Sequence, residues 1–488
     1  MADIKQSGQV FTPLYLVCDI LNAAGYVENN IRKKHIIDNS CGNGAFLSVI
    51  VQRYIIEFLK ESKDAIQLKS ELETYIHGIE LDSVAYIECI ANLNDLVKDS
   101  HLEDVRWDIL NTDTLSVNQY DGKMDFVVGN PPYVRVHNLE NYNAVKQFKF
   151  AEGGMTDLYL VFFEIGFNML KSGGKLCYIT PSSWINSVAG SVLRQYTLKN
   201  HNLVRVIDLG HYQAFEATTY TMISLFQKDI KHDTFTYSIY KPNNGTPYSL
   251  AVEDLTIEET MINGVMYLAN RKTLNELRQI FTGKCKQYVQ VKNGFATLAD
   301  SVFIRSFFPF TEYVIPIIKA STGKWYKAFF PYDKNGKPLP QEQIFNNVQI
   351  AQYLEENAPT LLKGRTKEEM PDWYLFGRTQ ALKDVASNKY SINTIVIDKS
   401  SIKLNKVPAG SGIYSGLYIL TAVPEDILRD VIYNEDFIKY ISTLKKYKSG
   451  GYYTFNSKEL ENYLNYKLSN LLNENNYAEQ PDLFTSNI

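Results

Sequence analysis

The stretch "IIDNSCGNGAFL", residues 36–47, decides the fold. Two isoleucines lead into Asp38, and Gly42 and Gly44 separate this short apolar run from a second one. A β-branched run suits a buried strand, and glycines allow the backbone to approach a ligand closely. A strand, a glycine turn and a helix in this order open the crevice in which α/β sheets bind ligands. A plain strand–helix turn stays an alternative, because Leu47 replaces the third glycine of the dinucleotide fingerprint.

The same alternation of strands and helices continues to residue 226. Strand-like apolar runs occupy residues 33–38, 74–82, 105–108, 124–130, 176–181, 203–210 and 220–226. Apolar residues with the spacing of a helix occupy residues 45–60, 83–97 and 156–170. This alternation predicts an α/β fold with a Rossmann-like, mostly parallel sheet and helices on both faces. The linker between the last two strands is too short for a helix, so we expect one of them to be antiparallel.

The composition is that of an ordinary globular protein, with 45% hydrophobic and 21% charged residues. No apolar run approaches the roughly 20 residues that span a bilayer, and the N-terminus lacks the layout of a signal peptide. Five scattered cysteines without CxxC spacing are typical of free thiols in a reducing compartment. We therefore expect a cytoplasmic protein with no membrane partner.

The length of 488 residues predicts two or three domains. The polar, turn-rich segment 228–250 indicates a boundary, so we expect domains over residues 1–235 and 236–470 and a flexible tail over 471–488. The charge also changes, since residues 1–240 hold 21 Lys+Arg against 28 Asp+Glu and the remainder holds 29 against 26. A mild basic excess is compatible with phosphate contacts in the second half, although ordinary scatter explains it equally well.

Two further acidic residues end predicted strands, Glu80 in "HGIELD" and Asp108 in "RWDIL". Together with Asp38, they would face one crevice at the carboxyl ends of neighbouring strands. A glutamate can accept hydrogen bonds from both ribose hydroxyls, and an aspartate can accept one from an adenine amino group. Each residue alone is more often a helix cap or a surface carboxylate. Three of them beside a glycine turn favour a nucleoside site.

The stretch "MDFVVGNPPYVRV", residues 124–136, ends a buried strand in a stiff turn. Pro131 and Pro132 remove two N–H donors and fix two φ angles, so the strand cannot continue. The side-chain oxygen of Asn130 and the carbonyl of Pro131 are acceptors, and together they can hold both N–H bonds of an exocyclic amine. Tyr133 offers a flat face on which a base can stack; a core tyrosine after a proline turn is the alternative.

The ordered pieces "GQVFTP", "DNSCGNGAFL", "IELD", "WDIL", "NPPY" and "FEATTY" resemble the γ class of S-adenosylmethionine-dependent DNA adenine-N6 methyltransferases, the TaqI-like enzymes. The resemblance covers nearly all of residues 8–226. Four later pieces, "NGFATLADSVF", "FFPY", "PDWYLFGRTQ" and "SGGYYTFNSKEL", are similar to the target-recognition domain of this family. The resemblance thus implies a catalytic methyltransferase domain followed by a mixed α+β domain that binds double-stranded DNA.

The cofactor-binding residues that the resemblance implies are Thr12, Pro13, Asp38, Ser40, Gly42, Gly44, Glu80, Asp108 and Asn130. Thr12 and Pro13 would border the methionine end of S-adenosylmethionine. Glu80 would hold the ribose and Asp108 the adenine, while the residues between positions 38 and 44 would line the amino-acid part.

The catalytic residues that the resemblance implies are Asn130, Pro131, Pro132, Tyr133 and Phe215. Asn130 and the Pro131 carbonyl would bind the N6 amine of an adenine that has been flipped out of the duplex. Tyr133 would stack on this base and Phe215 would pack against its other side, although Phe215 alone would more often be a core residue. No metal is implied.

Beyond the catalytic pocket, the resemblance implies that Arg378 in "FGRTQ" contacts DNA, with a structural salt bridge as the alternative. Gln480, Leu483 and Phe484 in the tail resemble the short peptide by which bacterial proteins dock on the replication sliding clamp. The resemblance also implies a monomer in the bacterial cytoplasm, associated with the nucleoid. A separate restriction endonuclease could accompany it, or the enzyme could act as an orphan methylase.

Several other functions remain open at this point. Methyltransferases that act on cytosine N4, on RNA adenine or on a protein glutamine amide use similar chemistry. Cytosine enzymes more often carry serine at the position of Asn130, and the RNA and glutamine enzymes would not require the large second half. The rival from another class is a DNA-specificity subunit with an idle catalytic domain, which the intact "NPPY" turn disfavours. A fused nuclease is not expected, because the first methyltransferase motif begins by residue 8.

Overall fold

The computed structural model describes residues 12–100, 102–136, 142–152, 156–215, 219–241, 248–367 and 369–474. The chain divides into two compact units, Met1–Glu276 and Leu277–Ile488, which we call unit 1 and unit 2. In the described parts of both units, no helix has both the length and the apolar character that crossing a membrane requires.

Unit 1 is built on a nine-stranded sheet. Its strands are β1 Ile36–Asp38, β2 Ile76–Glu80, β3 Asp108–Asn111, β4 Met124–Gly129, β5 Leu170–Pro181, β6 Leu203–Asp208, β7 Thr221–Gln227, β8 Phe235–Lys241 and β9 Tyr248–Leu255. Their order across the sheet is β3-β2-β1-β4-β5-β7-β6-β8-β9. Strands β1 to β6 and β8 run in one direction, whereas β7 and β9 run antiparallel to them. A short hairpin of β10 Met261–Ile262 and β11 Val265–Met266 follows.

Helices cover both faces of this sheet. They are α1 Leu14–Ala24, α2 Ala45–Leu59, α3 Ala65–Tyr75, α4 Ser83–Val97, α5 Tyr142–Val145, α6 Leu158–Met169, α7 Ser191–Asn200 and α8 Ile257–Thr260, while α9 Arg271–Thr282 spans the dividing line. Cys177 and Ile179 of β5 pack in one core cluster with residues of α1 to α4. Tyr178 between them contacts the ring of Phe163 in α6, with centroids 5.6 Å apart. Because successive side chains of a strand point to opposite faces, the two sets of helices lie on opposite sides.

The predicted fold class is confirmed by this arrangement, and several element bounds agree closely. Helix α4 spans the predicted residues 83–97, and its start is fixed by Asp82, whose carboxylate accepts the backbone N–H groups of Val84 and Ala85 at 2.8 and 2.9 Å. The expected antiparallel strand is β7. A second antiparallel strand, β9, was not predicted.

The predicted end of the first domain at residue 235 lies too early. Segment 228–250 reads as a boundary because it is polar and rich in turns, but it contains most of the last strand pair of the sheet. Strand β8 pairs in parallel with β6, Arg205 opposite Thr236, and β9 then pairs with β8. Most of β9 is exposed or half-buried, as befits the outermost strand, so its sequence carries little apolar signal. The structural division therefore comes after Glu276.

Unit 2 has the mixed α+β character that the sequence predicts for the second half. Its strands are β12 Val289–Asn293, β13 Ile304–Arg305, β14 Val314–Lys319, β15 Lys324–Phe329, β16 Lys389–Ile392, β17 Ile395–Val396, β18 Leu404–Val407, β19 Gly412–Tyr414, β20 Leu417–Thr421, β21 Tyr447–Lys448 and β22 Tyr452–Thr454. They form three sheets, ordered β12-β20-β16-β18, β13-β15-β14-β19 and β17-β22-β21. The helices are α10 Asp300–Phe303, α11 Gln341–Phe345, α12 Val348–Leu362, α13 Glu425–Ile432, α14 Glu435–Thr443 and α15 Ser457–Glu474. Since α15 runs to Glu474, the predicted tail begins later than residue 471.

Candidate active site

The candidate site lies at the carboxyl edge of the parallel strands in unit 1. Strand β1 ends at Asp38, β2 ends at Glu80, and β4 ends at Gly129, directly before Asn130. Asp38 lies opposite Gly78 in β2 and opposite Val128 in β4, so these strand ends are neighbours. The sequence thus predicted correctly that the turn after β1 and the "NPPY" turn meet at one edge.

Asp38 is a buried carboxylate, with only 1% of its surface exposed. Its Oδ1 accepts the backbone N–H of Ser40 at 3.1 Å. Burial raises the pKa of Asp38 to about 7, because the charged form loses hydration. Gly129 is required beside it: its φ is +147°, and a Cβ at this position would lie 2.6 Å from Asp38 Oδ1. The site therefore holds a buried acid that keeps its proton more readily than a carboxyl in water does.

Glu80 fixes the glycine turn that follows β1. Its Oε2 accepts the backbone N–H of Gly42 at 2.7 Å, and its Oε1 accepts that of Asp82 at 2.8 Å. Gly42 and Gly44 both have positive φ, at +54° and +88°, and the position of a Cβ on Gly42 has no atom within 4 Å. The turn is therefore open on that side. Each carboxylate oxygen of Glu80 can still accept a second hydrogen bond.

Asn130 and Thr12 are joined by their side chains. The Nδ2 of Asn130 donates to Thr12 Oγ1 at 3.1 Å, and this bond links the segment before α1 to the end of β4. Thr12 is followed by Pro13, whose carbonyl accepts the first backbone N–H groups of α1, from Leu16 and Val17. The Ser40 hydroxyl reaches the backbone carbonyl of Asn130 at 3.5 Å. The structure therefore brings together the predicted residues from three separate sequence motifs.

Tyr133 is held in place but not fully covered. Its hydroxyl donates to the backbone carbonyl of Ile179 at 3.2 Å, and the edge of Tyr159 meets its ring with centroids 6.4 Å apart. Pro131 is buried, whereas Pro132 and Tyr133 are partly exposed. A ring fixed at both its edge and its hydroxyl keeps one orientation, which is what a stacking platform requires.

Asp108 does not lie in this site, contrary to the prediction. It is the first residue of β3, so it lies at the amino edge of the sheet, opposite His77 near the start of β2. Its Oδ2 is 2.6 Å from His77 Nδ1, its Oδ1 accepts the Tyr120 hydroxyl at 3.1 Å, and the bond with His77 lowers the pKa of Asp108. His77 in turn meets His35, with Nε2 and Nδ1 2.9 Å apart. These bonds hold Asp108 at the amino edge, away from the strand ends that form the candidate site.

Two residues at the carboxyl edge were missed by the sequence reasoning. Asp113 follows the end of β3 and is half-buried; its Oδ1 accepts the backbone N–H of Leu115 at 3.0 Å. Thr112, just before it, donates its backbone N–H to the Glu80 carbonyl at 3.0 Å, so Asp113 lies beside the end of β2. Leu81 directly follows Glu80 and is 68% exposed, which is unusual for leucine. The signal available for Asp113 was a second Asp after an apolar run, five residues past Asp108 in "WDILNTD".

The remaining predicted residues are more dispersed. Phe215 is buried, with 8% exposure, and belongs to the main core cluster of unit 1, which agrees with the alternative that Phe215 is a core residue. Arg378 in unit 2 is exposed, and none of the ion pairs seen among the described residues includes it. Gln480, Leu483 and Phe484 lie outside the described residues, so the clamp-binding motif stays a prediction.

The fold of unit 1 and the position of the "NPPY" turn at this edge agree with the resemblance to α/β methyltransferases. Residues 35–215 match the sequence model of the Eco57I restriction-modification methylase family. This match covers the predicted motifs from "DNSCGNGAFL" to "NPPY", ends at Phe215, and confirms the resemblance to methyltransferases of restriction–modification systems. The expected cofactor, S-adenosylmethionine, agrees with a family of methylases.

Individual relatives of the chain are also type II methyltransferases or combined restriction enzymes and methyltransferases. The chain is 24% identical to the type II restriction enzyme and methyltransferase RM.Eco57I of Escherichia coli, over 87% of this chain and 53% of that protein. It is 27% identical to the type II methyltransferase M.PaeR7I of Pseudomonas aeruginosa, over 46% of this chain and 41% of that protein. It is 24% identical to the type II methyltransferase M.AccI of Acinetobacter calcoaceticus, over 65% of this chain and 52% of that protein. The chain thus spans about half the length of the curated relatives it matches.

Two solved structures share the fold over almost the whole chain. The type IIL restriction-modification enzyme MmeI in complex with DNA aligns with a TM-score of 0.61 at 12% identity, covering 96% of this chain and 74% of that one. The second structure is a nuclease-deletion mutant of the type ISP restriction-modification enzyme LlaGI in complex with a DNA substrate mimic. It aligns with a TM-score of 0.51 at 13% identity, covering 97% of this chain and 55% of that one. At these identities the similarity establishes the fold alone.

Proposed function

We propose that this protein is a site-specific DNA methyltransferase that modifies the N6 amine of adenine in double-stranded DNA. Unit 1 would carry the reaction and unit 2 would select the sequence. The observation that carries the proposal is the Asn130 side chain, which is held by Thr12 beside the buried carboxylate of Asp38. An amide acceptor next to a nucleoside-type site is the arrangement that methylation of an exocyclic amine requires.

The acceptors at the carboxyl edge fit S-adenosylmethionine. This cofactor carries three kinds of hydrogen-bond donor, namely an ammonium, two ribose hydroxyls and an adenine amine. In our proposal Asp38 takes the ammonium, Glu80 takes the ribose hydroxyls and Asp113 takes the adenine amine, in place of Asp108. Leu81, exposed next to Glu80, would cover one face of the adenine ring. When bound, the cofactor supplies an electrophilic methyl group on a sulfonium.

The residues of the "NPPY" turn would prepare the target amine. The Asn130 side-chain oxygen and the Pro131 carbonyl would each accept one N–H, so the nitrogen lone pair is drawn out of conjugation with the ring. Because Pro131 and Pro132 fix their φ angles, the two acceptors need little reorganisation during the reaction. The same acceptors would stabilise the positive charge that develops on nitrogen before a proton leaves.

A target base must first leave the duplex, which costs a few kcal/mol. Stacking on Tyr133 would recover about 1–3 kcal/mol of this cost. Phe215 was expected to pack the other face of the base. Because Phe215 is buried, it could contact the base only if the loop after β6 rearranges when DNA binds. We therefore keep Phe215 as a proposed contact only in the DNA complex.

The second candidate reaction is methylation of cytosine N4, which offers the same two N–H bonds. The amide at position 130 favours adenine, since the cytosine enzymes of this type more often carry serine there. Unit 2, with its own core and three sheets, disfavours the RNA and glutamine substrates. A restriction endonuclease partner, docking on the sliding clamp and the monomeric state belong to the proposal and need separate measurements.

The direct test is modification-sensitive sequencing of DNA from a methylation-free host that expresses this chain. Wild-type protein should place N6-methyladenine within one short sequence motif, and Asn130→Ala should place none. Tyr133→Ala should reduce the modified fraction, while Tyr133→Phe, which keeps the ring, should retain most of it. Modified cytosine would replace the proposal with the second candidate. An unmodified genome, from wild-type protein that folds and binds the cofactor, would refute DNA methylation by this chain alone.

A further inference from the structure

Unit 2 contains an open groove of about 640 Å³ that the catalytic proposal does not use. Its walls come from four distant parts of the sequence: residues 290–293 on β12, the turn at 335–336, the loop 379–384, and Ser457 at the start of α15. Most of the side chains in it are amides, hydroxyls or lysines. Small-molecule pockets are lined mainly by apolar and aromatic groups, so this groove does not have their character.

The floor of the groove is a fixed network of charges. The Nζ of Lys292 donates to Asp384 Oδ2 at 2.8 Å, and the Tyr418 hydroxyl donates to the same oxygen at 2.6 Å. Burial alone would raise the pKa of Asp384, but these two hydrogen bonds lower it, so the carboxylate is charged. Lys389 below it donates to the backbone carbonyls of Asp384 and Ser387, at 2.7 and 3.0 Å. Lys292 is thus paired with the Asp384 carboxylate, whereas Lys389 is bonded to backbone carbonyls, and burial lowers the pKa of Lys389 to about 8.

The loop that forms one wall is also fixed. The Nε2 of Gln380 donates to the Gly294 carbonyl at 2.5 Å, which anchors the loop to the end of β12. On the other side, Gly336 packs so closely that a Cβ there would lie 2.7 Å from the backbone nitrogen of Lys383. Gly336 also has a φ of +76°, so the turn at 335–336 depends on glycine. The polar side chains of the groove therefore project from a rigid frame.

We propose that this groove is where unit 2 reads the edges of DNA bases, an inference that rests on the proposed function. Asn293, Asn335, Thr379 and Lys383 are exposed in it. Asparagine can bind adenine with two hydrogen bonds, lysine can bind guanine, and threonine can bind either base. The lining carries Lys292 and Lys383 against Asp384, and this surplus of one positive charge favours the polyanion. Arg378, which directly precedes Thr379, would contact a phosphate at the rim.

The test uses full-length protein with Asn335→Ala and Lys383→Ala, alone and combined. Asn346→Ala and Lys363→Ala, exposed or half-buried residues of the same unit outside the groove, are the matched controls. We measure the methylated motif by sequencing and the affinity for a motif-bearing duplex at two salt concentrations. Each groove variant should lose about 5- to 100-fold in preference for one base of the motif, the range that one specific base contact provides.

The outcomes separate the groove from the catalytic proposal. If the wild type methylates a motif and the groove variants methylate it with unchanged affinity and preference, the groove is not the reading surface and the proposed function stands. A uniform loss of affinity across all sequences would also overturn base reading, because it indicates phosphate contacts only. If the wild type methylates nothing, the proposed function fails, and selective duplex binding that the groove variants lose would still support the groove. Cofactor affinity, measured on every variant, shows that unit 1 is folded.

Discussion

The hydrogen bond between Asn130 Nδ2 and Thr12 Oγ1, 3.1 Å long, gives a sharp prediction about catalysis. In this orientation the amide presents its nitrogen to Thr12, and in the proposed mechanism its oxygen accepts an N–H of the target amine. A rotation of the amide by 180° would turn an N–H toward the amine, where an acceptor is needed. We therefore expect Thr12 to act as a positioning residue that selects the reactive orientation of Asn130.

Thr12→Val removes the hydroxyl and keeps the shape of the side chain, which is 9% exposed. A neutral hydrogen bond contributes about 0.5–1.5 kcal/mol net, which corresponds to a decrease of about 2- to 13-fold in the rate of methyl transfer. Thr12→Ser keeps the hydroxyl and should retain most of the activity. The assays are single-turnover and steady-state methylation of a motif-bearing duplex with saturating cofactor. The single-turnover rate constant and kcat should fall, while KM for DNA changes little.

Because the methionine end of the cofactor is expected near Thr12, cofactor affinity must be measured separately by calorimetry. A Thr12→Val variant with wild-type kcat would refute the positioning role. So would a variant whose whole defect disappears at higher cofactor concentration, since Thr12 would then act on binding alone. Equal defects in the serine and valine variants would assign the effect to the methyl group instead of the hydroxyl.

Three further predictions concern the carboxylates and their surroundings. Asp113→Asn should weaken cofactor binding in calorimetry while Asp108→Asn leaves it unchanged; the reverse result would restore Asp108 to the adenine site. Gly129→Ala should cost about 1–3 kcal/mol of unfolding free energy in chemical denaturation, because its φ of +147° and a Cβ 2.6 Å from Asp38 Oδ1 both cause strain; an unchanged midpoint would contradict this. Burial raises the pKa of Asp38 to about 7, above the unfolded value of about 3.9. Protonated Asp38 therefore stabilises the cofactor-free protein at low pH, and this contribution to the free energy of unfolding is lost as the pH rises through 7. The affinity for the cofactor should change in the opposite direction: it should increase by up to about tenfold per pH unit below 7 and level off above it. A pH profile as flat as that of Asp38→Asn would rule out the carboxylate–ammonium pair.

Where local signals agree with tertiary structure, the sequence is sufficient. Helix α4 was predicted with both its ends, because Asp82 provides the cap and the apolar residues follow helical spacing. The turn after β1 and the "NPPY" turn were also located correctly. Both depend on glycine or proline at fixed positions: proline restricts the backbone and glycine permits positive φ, whatever surrounds them.

The errors arise where distant segments decide the outcome. Strand β3 was expected at 105–108 from its apolar run, but its pairing with β2 from His77 to Glu80 shifts it to Asp108–Asn111. This shift of three residues moves Asp108 from the carboxyl edge to the amino edge and brings Asp113 to the crevice. The groove of unit 2 shows the same limit, because residues near 290, 335 and 380 meet only in the folded chain. No local pattern can reveal such a meeting.

The two edges of the sheet use acidic residues in opposite ways. At the amino edge, Asp108 is bound by the side chains of His77 and Tyr120. At the carboxyl edge, Asp38 and Glu80 accept hydrogen bonds from backbone N–H groups, and neither belongs to an ion pair among the described residues. A buried carboxylate without a cation is unfavourable, as the raised pKa of Asp38 shows. We infer that the site tolerates this cost because a ligand rich in donors and carrying a positive charge completes it, which is the strongest physical reason to place the cofactor at this edge.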